Sequence, residues 1–259
     1  MQRRGLTGKT VNTTINNHYA LARQSRYSKN SNFRSLSIKR LLRKAALYLL
    51  LTFLATSIGL CVLLRWVPTP TSAFMVYRHI EDLMNGGSFK TIKHSWVGAK
   101  KISPHAFSAV IASEDQRFFQ HSGFDLYSIQ SSIDEYMVGG KLRGASTISQ
   151  QVAKNLFLTP SKSFVRKGLE VWFTLLIELL WSKDRILVVY LNIAEFGDHL
   201  FGIEAASQHY FGIHASQISR SQAALLAATL PNPRLLRAEQ PSRYLLKRQH
   251  WILRQMQNQ

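Results

Sequence analysis

The chain has 259 residues, 46% of them hydrophobic, and a formal net charge of +19. That apolar content supports one sizeable core and excludes a wholly disordered protein, while the excess of cations suits an anionic partner such as lipid headgroups, a diphosphate or nucleic acid. The single cysteine, Cys61, excludes an intramolecular disulfide and a thiolate metal site.

Residues 1–44 hold 11 Lys or Arg and no acidic residue; the first acid in the chain is Glu81. Rich in Ser, Asn, Arg and Lys and without periodicity, this stretch is predicted to be a disordered basic tail on the cytosolic side, able to lie against anionic membrane lipids. Without it the remainder still carries +8. Residues 45–64 are 20 consecutive uncharged residues, the length that crosses a hydrocarbon core, and predict a single N-terminal transmembrane helix. A cleaved signal peptide is the rival reading, but the run exceeds the apolar stretch of about 7–15 residues that such peptides carry. Lys39, Arg40, Arg43 and Lys44 crowd its start while Arg65 stands alone after it, which keeps the N-terminus in the cytoplasm and puts residues 65–259 outside. Trp66, Pro68 and Pro70 mark the exit from the bilayer.

Beyond Ser103 the pattern is mainly α. Apolar spacing predicts helices near Pro104 to Ser113, Leu126 to Met137, Ile148 to Phe157, Phe164 to Trp181, Lys183 to Asn192, Ile203 to Phe211 and Ser219 to Thr229. Ser103 and Ser219 are suited to N-caps, and Pro231 and Pro233 stop the penultimate helix. Val171 to Trp181 is apolar apart from Glu178 and too short to span a membrane, so it reads as a core helix, with partial immersion as the alternative.

Glu114 and Asp115 follow the apolar run Ala109–Ala112 and precede Phe118 and Phe119. A carboxylate at the lip of such a wall is expected to be desolvated and to serve as a base near neutral pH; an acid at a helix end is the plain alternative. Gly144-Ala-Ser-Thr leads into a helix whose Thr147 and Gln150 form a capping box. A glycine-preceded helix start offers free amides to an anion, with Gln151, Lys154 and Asn155 on the polar face and Arg143 just outside; an ordinary capped helix is the alternative. Lys162, Arg166 and Glu170 are spaced four apart and share a face if the helix already includes Lys162. They constitute either a surface ion pair or cations placed beside a phosphorylated leaving group. His121 has no sequence partner for metal binding and reads as structural.

These motifs also form an ordered series. Glu-Asp-x-x-Phe-x-x-His-x-Gly from Glu114 to Gly123, Gly-Ala-Ser-Thr-Ile-Ser-Gln-Gln from Gly144, Arg-Lys-x-x-Glu ending at Glu170, Tyr190-Leu-Asn192, Glu195-Phe-Gly197 and the run from Ala223 to Pro233 closely resemble the monofunctional peptidoglycan glycosyltransferases, the biosynthetic transglycosylases. The resemblance covers roughly Trp66 to Arg254. It implies a lysozyme-like domain that polymerises lipid II, with Glu114 as general base and Glu170 as the second catalytic carboxylate. It implies substrate contacts by Asp115, Phe119, Arg143, Ser146, Thr147, Gln150, Gln151, Lys154, Asn155, Lys162, Arg166 and Lys167. Mg2+ or another divalent cation is allowed by the resemblance, although no metal-ligand spacing demands one. Val188 departs from the family, which commonly has glutamate there, and leaves room for a non-catalytic scaffold of the cell-wall machinery. A lytic muramidase is a further rival, but it has no need of the Lys/Arg groove. No Ser-x-x-Lys occurs, so cross-linking falls to partner transpeptidases and other cell-wall synthesis proteins. Nucleic acid is disfavoured, because the most basic segment is a membrane-proximal tail without a groove-reading motif.

Overall fold

The computed structural model describes residues 39–87, 90–140, 146–161 and 163–258. Most of the tail assigned to residues 1–44 lies outside the described residues, as do Arg143 and Lys162. The chain divides into two units, 1–57 and 58–259. The first is represented by helix α1, Lys39–Leu64, whose residues from Ile58 onward belong to the second. Lys39, Arg40, Arg43 and Lys44 are already helical, so α1 begins inside the segment assigned to the tail. At about 1.5 Å per residue its length is about 39 Å, more than the roughly 30 Å of a bilayer core. Leu47, Leu49 and Leu51 on it are exposed, as lipid-facing side chains are.

The second unit is mainly helical. Helices α2 (Ala73–Met84), α3 (Pro104–Glu114), α4 (Leu126–Met137), α5 (Ile148–Phe157), α6 (Phe164–Leu180), α7 (Lys183–Ile193), α8 (Ile203–Phe211), α9 (Arg220–Thr229) and α10 (Arg243–Gln255) surround a core to which α7 contributes most continuously. Side-chain oxygens set where most of them begin: Ser72, Ser103, Asp125, Thr147, Ser163, Ser182, Ser219 and Ser242 each accept a first-turn amide. α5 packs against α6 and α7, and α9 lies against α3 and α10. Asn192, fully buried at the end of α7, receives the Val97 amide at 2.8 Å and donates to the Val97 and Val188 carbonyls. That polar tie, rather than a glutamate at Val188, braces α7; Val188 itself is buried.

A small sheet has the order β1 (Lys93–His94), β3 (Leu200–Phe201), β2 (Glu195–Gly197), with β1 parallel and β2 antiparallel to β3. The sheet, α2 and α10 are absent from the sequence expectations. Strands of two or three residues are too short for alternation to register. On α10 the buried face is Leu245, Gln249 and Ile252, and its polar middle member, donating to Ser221, hides the apolar period.

Two expectations for α6 need correction. Ser163 caps the Arg166 amide at 3.1 Å, so the helix starts at Phe164 and Lys162 precedes it; only Arg166 and Glu170 share the face. The core reading of Val171 to Trp181 holds for one face. Phe173, Leu176 and Ile177 are buried, whereas Leu175 and Leu179 are 51% and 82% exposed in line with Phe164.

Candidate active site

Glu114 is the last residue of α3, so the helix axis fixes where its carboxylate points. Its neighbours are hydrogen-bond donors rather than an apolar wall. Ser113 Oγ donates to Oε1 at 2.9 Å, Arg248 Nη2 to Oε1 at 3.2 Å and Gln151 Nε2 to Oε2 at 3.1 Å. Because a carboxylate only accepts, the Gln151 amide is oriented, and its oxygen in turn accepts from the Tyr190 hydroxyl at 3.3 Å. Burial pushes the Tyr190 phenol well above its usual range, with the Glu114 charge adding to the effect, so this proton stays in place. Phe118 is buried beneath, edge-on to His121 and to the exposed Phe119.

Asp115, the C-cap of α3, has different partners. It is buried, and its carboxylate accepts the Ile148 amide at 3.0 Å and His121 Nε2–H at 3.0 and 3.1 Å. Gly123 N–H donates to His121 Nδ1 at 3.2 Å, which fixes the ring's tautomer. Burial raises the Asp115 pKa against the opposing effects of those two bonds. Gly123, at φ +91, cannot be replaced cheaply: a Cβ there would stand 2.8 Å from Thr174 Cγ2.

This arrangement bears on the anion site expected at the start of α5. The capping box is present, with Thr147 Oγ1 taking the Gln150 amide and Gln150 Oε1 the Thr147 amide. The Ile148 amide, however, is taken by Asp115, so the positive end of the helix is neutralised by the protein's own carboxylate. Asp115, Thr147 and Gln150, expected from the sequence to contact substrate, are buried and hydrogen-bonded within the protein, and Asp115 and Thr147 also border the cleft beside Glu114. Ser146, just before them, remains exposed.

Cations gather elsewhere, around Glu170 on α6. Glu170 is 3% exposed and is held by Arg166 Nη1 at 2.6 Å and by Lys167 Nζ. Lys154, one face of α5 away, feels both Glu170 and Glu114; desolvation lowers its pKa, those carboxylates oppose the shift, and Arg166 and Lys167 add to it. Lys154 and Asn155 are part-buried, and Arg166 Nε is buried without a partner. Three cations to one buried carboxylate leave an excess of positive charge for an incoming anion.

Two clefts meet at Glu114. One, of about 430 Å³, runs past Gln116, Arg117, Tyr127 and Ser131 towards α4. The other, of about 810 Å³, is walled by Gln151, Tyr244, Lys247 and Arg248. Ser113, Ser146 and Trp251 line both. A carboxylate at the junction of two grooves, beside a cationic cluster, suits proton abstraction from one bound molecule while an anion leaves another. The transglycosylase family model matches residues 82–257, about two thirds of the chain, and takes in both carboxylates and both clefts.

The chain belongs to the transglycosylase family.

Relatives called biosynthetic peptidoglycan transglycosylase make the assignment narrower. The protein from Chromohalobacter salexigens is 52% identical over 210 residues, covering 81% of this chain and 89% of its own length. That from Pseudomonas syringae is 50% identical over 220 residues, 85% and 91% of the two chains, and that from Pasteurella multocida 52% over 218 residues, 84% and 87%. This transglycosylase is therefore a glycosyltransferase of peptidoglycan synthesis, mainly α, with one apolar N-terminal helix long enough to cross a membrane.

Sequence reasoning missed Arg248, Lys247, Tyr244 and Trp251, all on α10, and the part played by Tyr190. Arg248 and Trp251 are three apart, one helical turn, a signal that becomes visible only once α10 is recognised as a helix.

Proposed function

We propose that this transglycosylase polymerises lipid II. The growing glycan, linked to a lipid through an α-diphosphate, is the donor, and lipid II is the acceptor. Glu114 removes the proton from the acceptor's 4-hydroxyl, whose oxygen attacks the donor's anomeric carbon. The bond to the diphosphate breaks, its electron pair leaves with undecaprenyl diphosphate, and one displacement inverts the α-linkage to a β-1,4 bond. Gln151 and Arg248 aim the base. Lys154, Arg166 and Lys167 neutralise the departing diphosphate, with Glu170 holding the last two in place. The observation that carries this reading is Glu114 at the junction of two grooves with a cation-rich cluster around buried Glu170.

A protein cage for Mg2+ does not fit the residues. Among the described residues no group of three or more His, Cys, Asp or Glu side chains is arranged to hold a metal ion, and both Glu170 oxygens face cations. No step is routed through a metal.

The four cations at the start of α1 support an inner-membrane protein with its N-terminus cytoplasmic and its catalytic unit periplasmic. The exposed apolar line of Phe164, Leu175 and Leu179 on α6 suits partial immersion beside lipid-linked substrates. Transpeptidation falls to partner enzymes, because the chain lacks Ser-x-x-Lys. Incubating the solubilised protein with labelled lipid II tests the reading: long strands that a muramidase cuts to disaccharides support it, whereas shortening of preformed glycan with no new strands would favour a lytic enzyme.

A further inference from the structure

The end of α1 is bolted to the catalytic unit by side chains that the chemistry above does not use. Leu64 O would ordinarily accept an amide four residues on, but that residue is Pro68, which has no N–H. Arg185 supplies the missing donors, with Nε at 3.1 Å and Nη2 at 2.6 Å from Leu64 O, and Nη2 also reaches Val67 O at 2.6 Å. One turn earlier, Trp181 Nε1–H donates to Cys61 O at 2.7 Å, and Cys61 is fully buried although it lies within the apolar run. The guanidinium sits 5.2 Å from the ring centre of Trp96 and 5.9 Å from that of Trp181. A cation at a helix C-terminus also complements the dipole. There is little slack beyond the clamp, since Thr69 is buried and Ser72 caps α2.

Trp181 directly follows α6, and Glu170 lies eleven residues back on the same helix. At about 1.5 Å per residue, α6 is a rigid spacer of about 16 Å between the clamp and the cationic cluster. We propose that Arg185, supported by Trp181 and Trp96, is a positioning residue that locks the exit of α1 to the α6–α7 junction. It thereby holds the Glu170 cluster at the depth where a membrane-embedded lipid diphosphate lies. This inference rests on the reading of the substrates as lipid-linked.

The test uses the full-length protein in two media: phosphatidylethanolamine/phosphatidylglycerol vesicles containing lipid II, and detergent micelles, where lipid II is not held at a fixed height. Arg185→Ala should lose about tenfold in polymerisation rate in vesicles and less than about twofold in micelles, the scale expected of misplacement rather than lost chemistry. Trp181→Phe, a milder change that keeps a ring, should lose less in vesicles and also spare micelles. Equal losses in both media, or none in either, would overturn the proposal. A second readout does not need turnover. A donor dye at Asp134→Cys on α4, with acceptor dyes on lipid headgroups, should give a narrow energy-transfer distribution that Arg185→Ala broadens. An unchanged distribution would also overturn it. If the unsubstituted protein makes no glycan in either medium, the functional reading fails, while energy transfer still decides the clamp.

Discussion

Replacing Asp115 by Asn separates a brace from a substrate contact. The native carboxylate serves two donors at once, the Ile148 amide at the start of α5 and His121 Nε2–H. One carboxylate oxygen takes the Ile148 amide, and both oxygens share His121 Nε2–H. Whichever way the substituted side chain turns, its NH2 replaces an accepting oxygen and faces a donor in a buried site. A lost hydrogen bond to a charged acceptor costs about 1.5–3 kcal/mol. Burial disfavours the ionised carboxylate, the cause that raises the Asp115 pKa, so a neutral amide recovers part of that cost. The net destabilisation is about 1–2 kcal/mol, which in a unit of this size lowers Tm by roughly 3–6 °C. Thermal melts of the solubilised Asp115→Asn protein at pH 7 check it. A double-mutant cycle with His121→Asn should show coupling of at least about 0.5 kcal/mol, as residues in one network do. An unchanged Tm together with abolished polymerisation would refute the reasoning, because it would make Asp115 a ligand contact and leave the α5 amides free for substrate.

Three further outcomes follow from named contacts. Lys154 contributes only while protonated, and desolvation lowers its pKa from 10.5, so polymerisation should fall on an alkaline limb below 10.5; Lys154→Arg, which stays charged, should move that limb upward, seen in a pH–rate profile. Arg248→Gln removes one of three donors aiming Glu114 and should cut kcat/KM by about 10–100-fold with little change in Tm, checked by steady-state kinetics beside a melt. Glu204 is held below the usual 4.5 by the Ala215 amide, His214 and Gln208, which outweigh its burial. Its stabilisation is therefore complete above 4.5 and is lost as pH falls through the depressed folded value; Glu204→Gln should flatten the fall in Tm over that acid window.

The sequence showed helices whose apolar period is uninterrupted. α5 is the clearest case, with Thr147 and Gln150 marking its start to the residue. It did not show α10, because Gln249 occupies the middle of the buried face. The same distinction runs through the site. Glu114 and Glu170, the carboxylates proposed for the chemistry, each stand in a motif of fixed spacing, and Arg166 lies one turn from Glu170. At the cap of α5 the local pattern was incomplete for a physical reason: a helix start looks like an anion receptor from local sequence, and only tertiary structure reveals that Asp115, 33 residues earlier, takes the Ile148 amide. Arg248, 134 residues from Glu114, reaches it through the packing of α10 on α3, which no local pattern encodes.

The central claim, that Glu114 is the base of a glycan polymerase, is tested most directly by Glu114→Gln with labelled lipid II. The substitution keeps the shape and the contacts to Ser113 and Gln151 in reach while removing the proton acceptor. The expected result is a folded protein with Tm within a few degrees of the parent and a rate lower by at least about 10²-fold, the lower range of general-base contributions. Undiminished strand synthesis by the folded variant would contradict it.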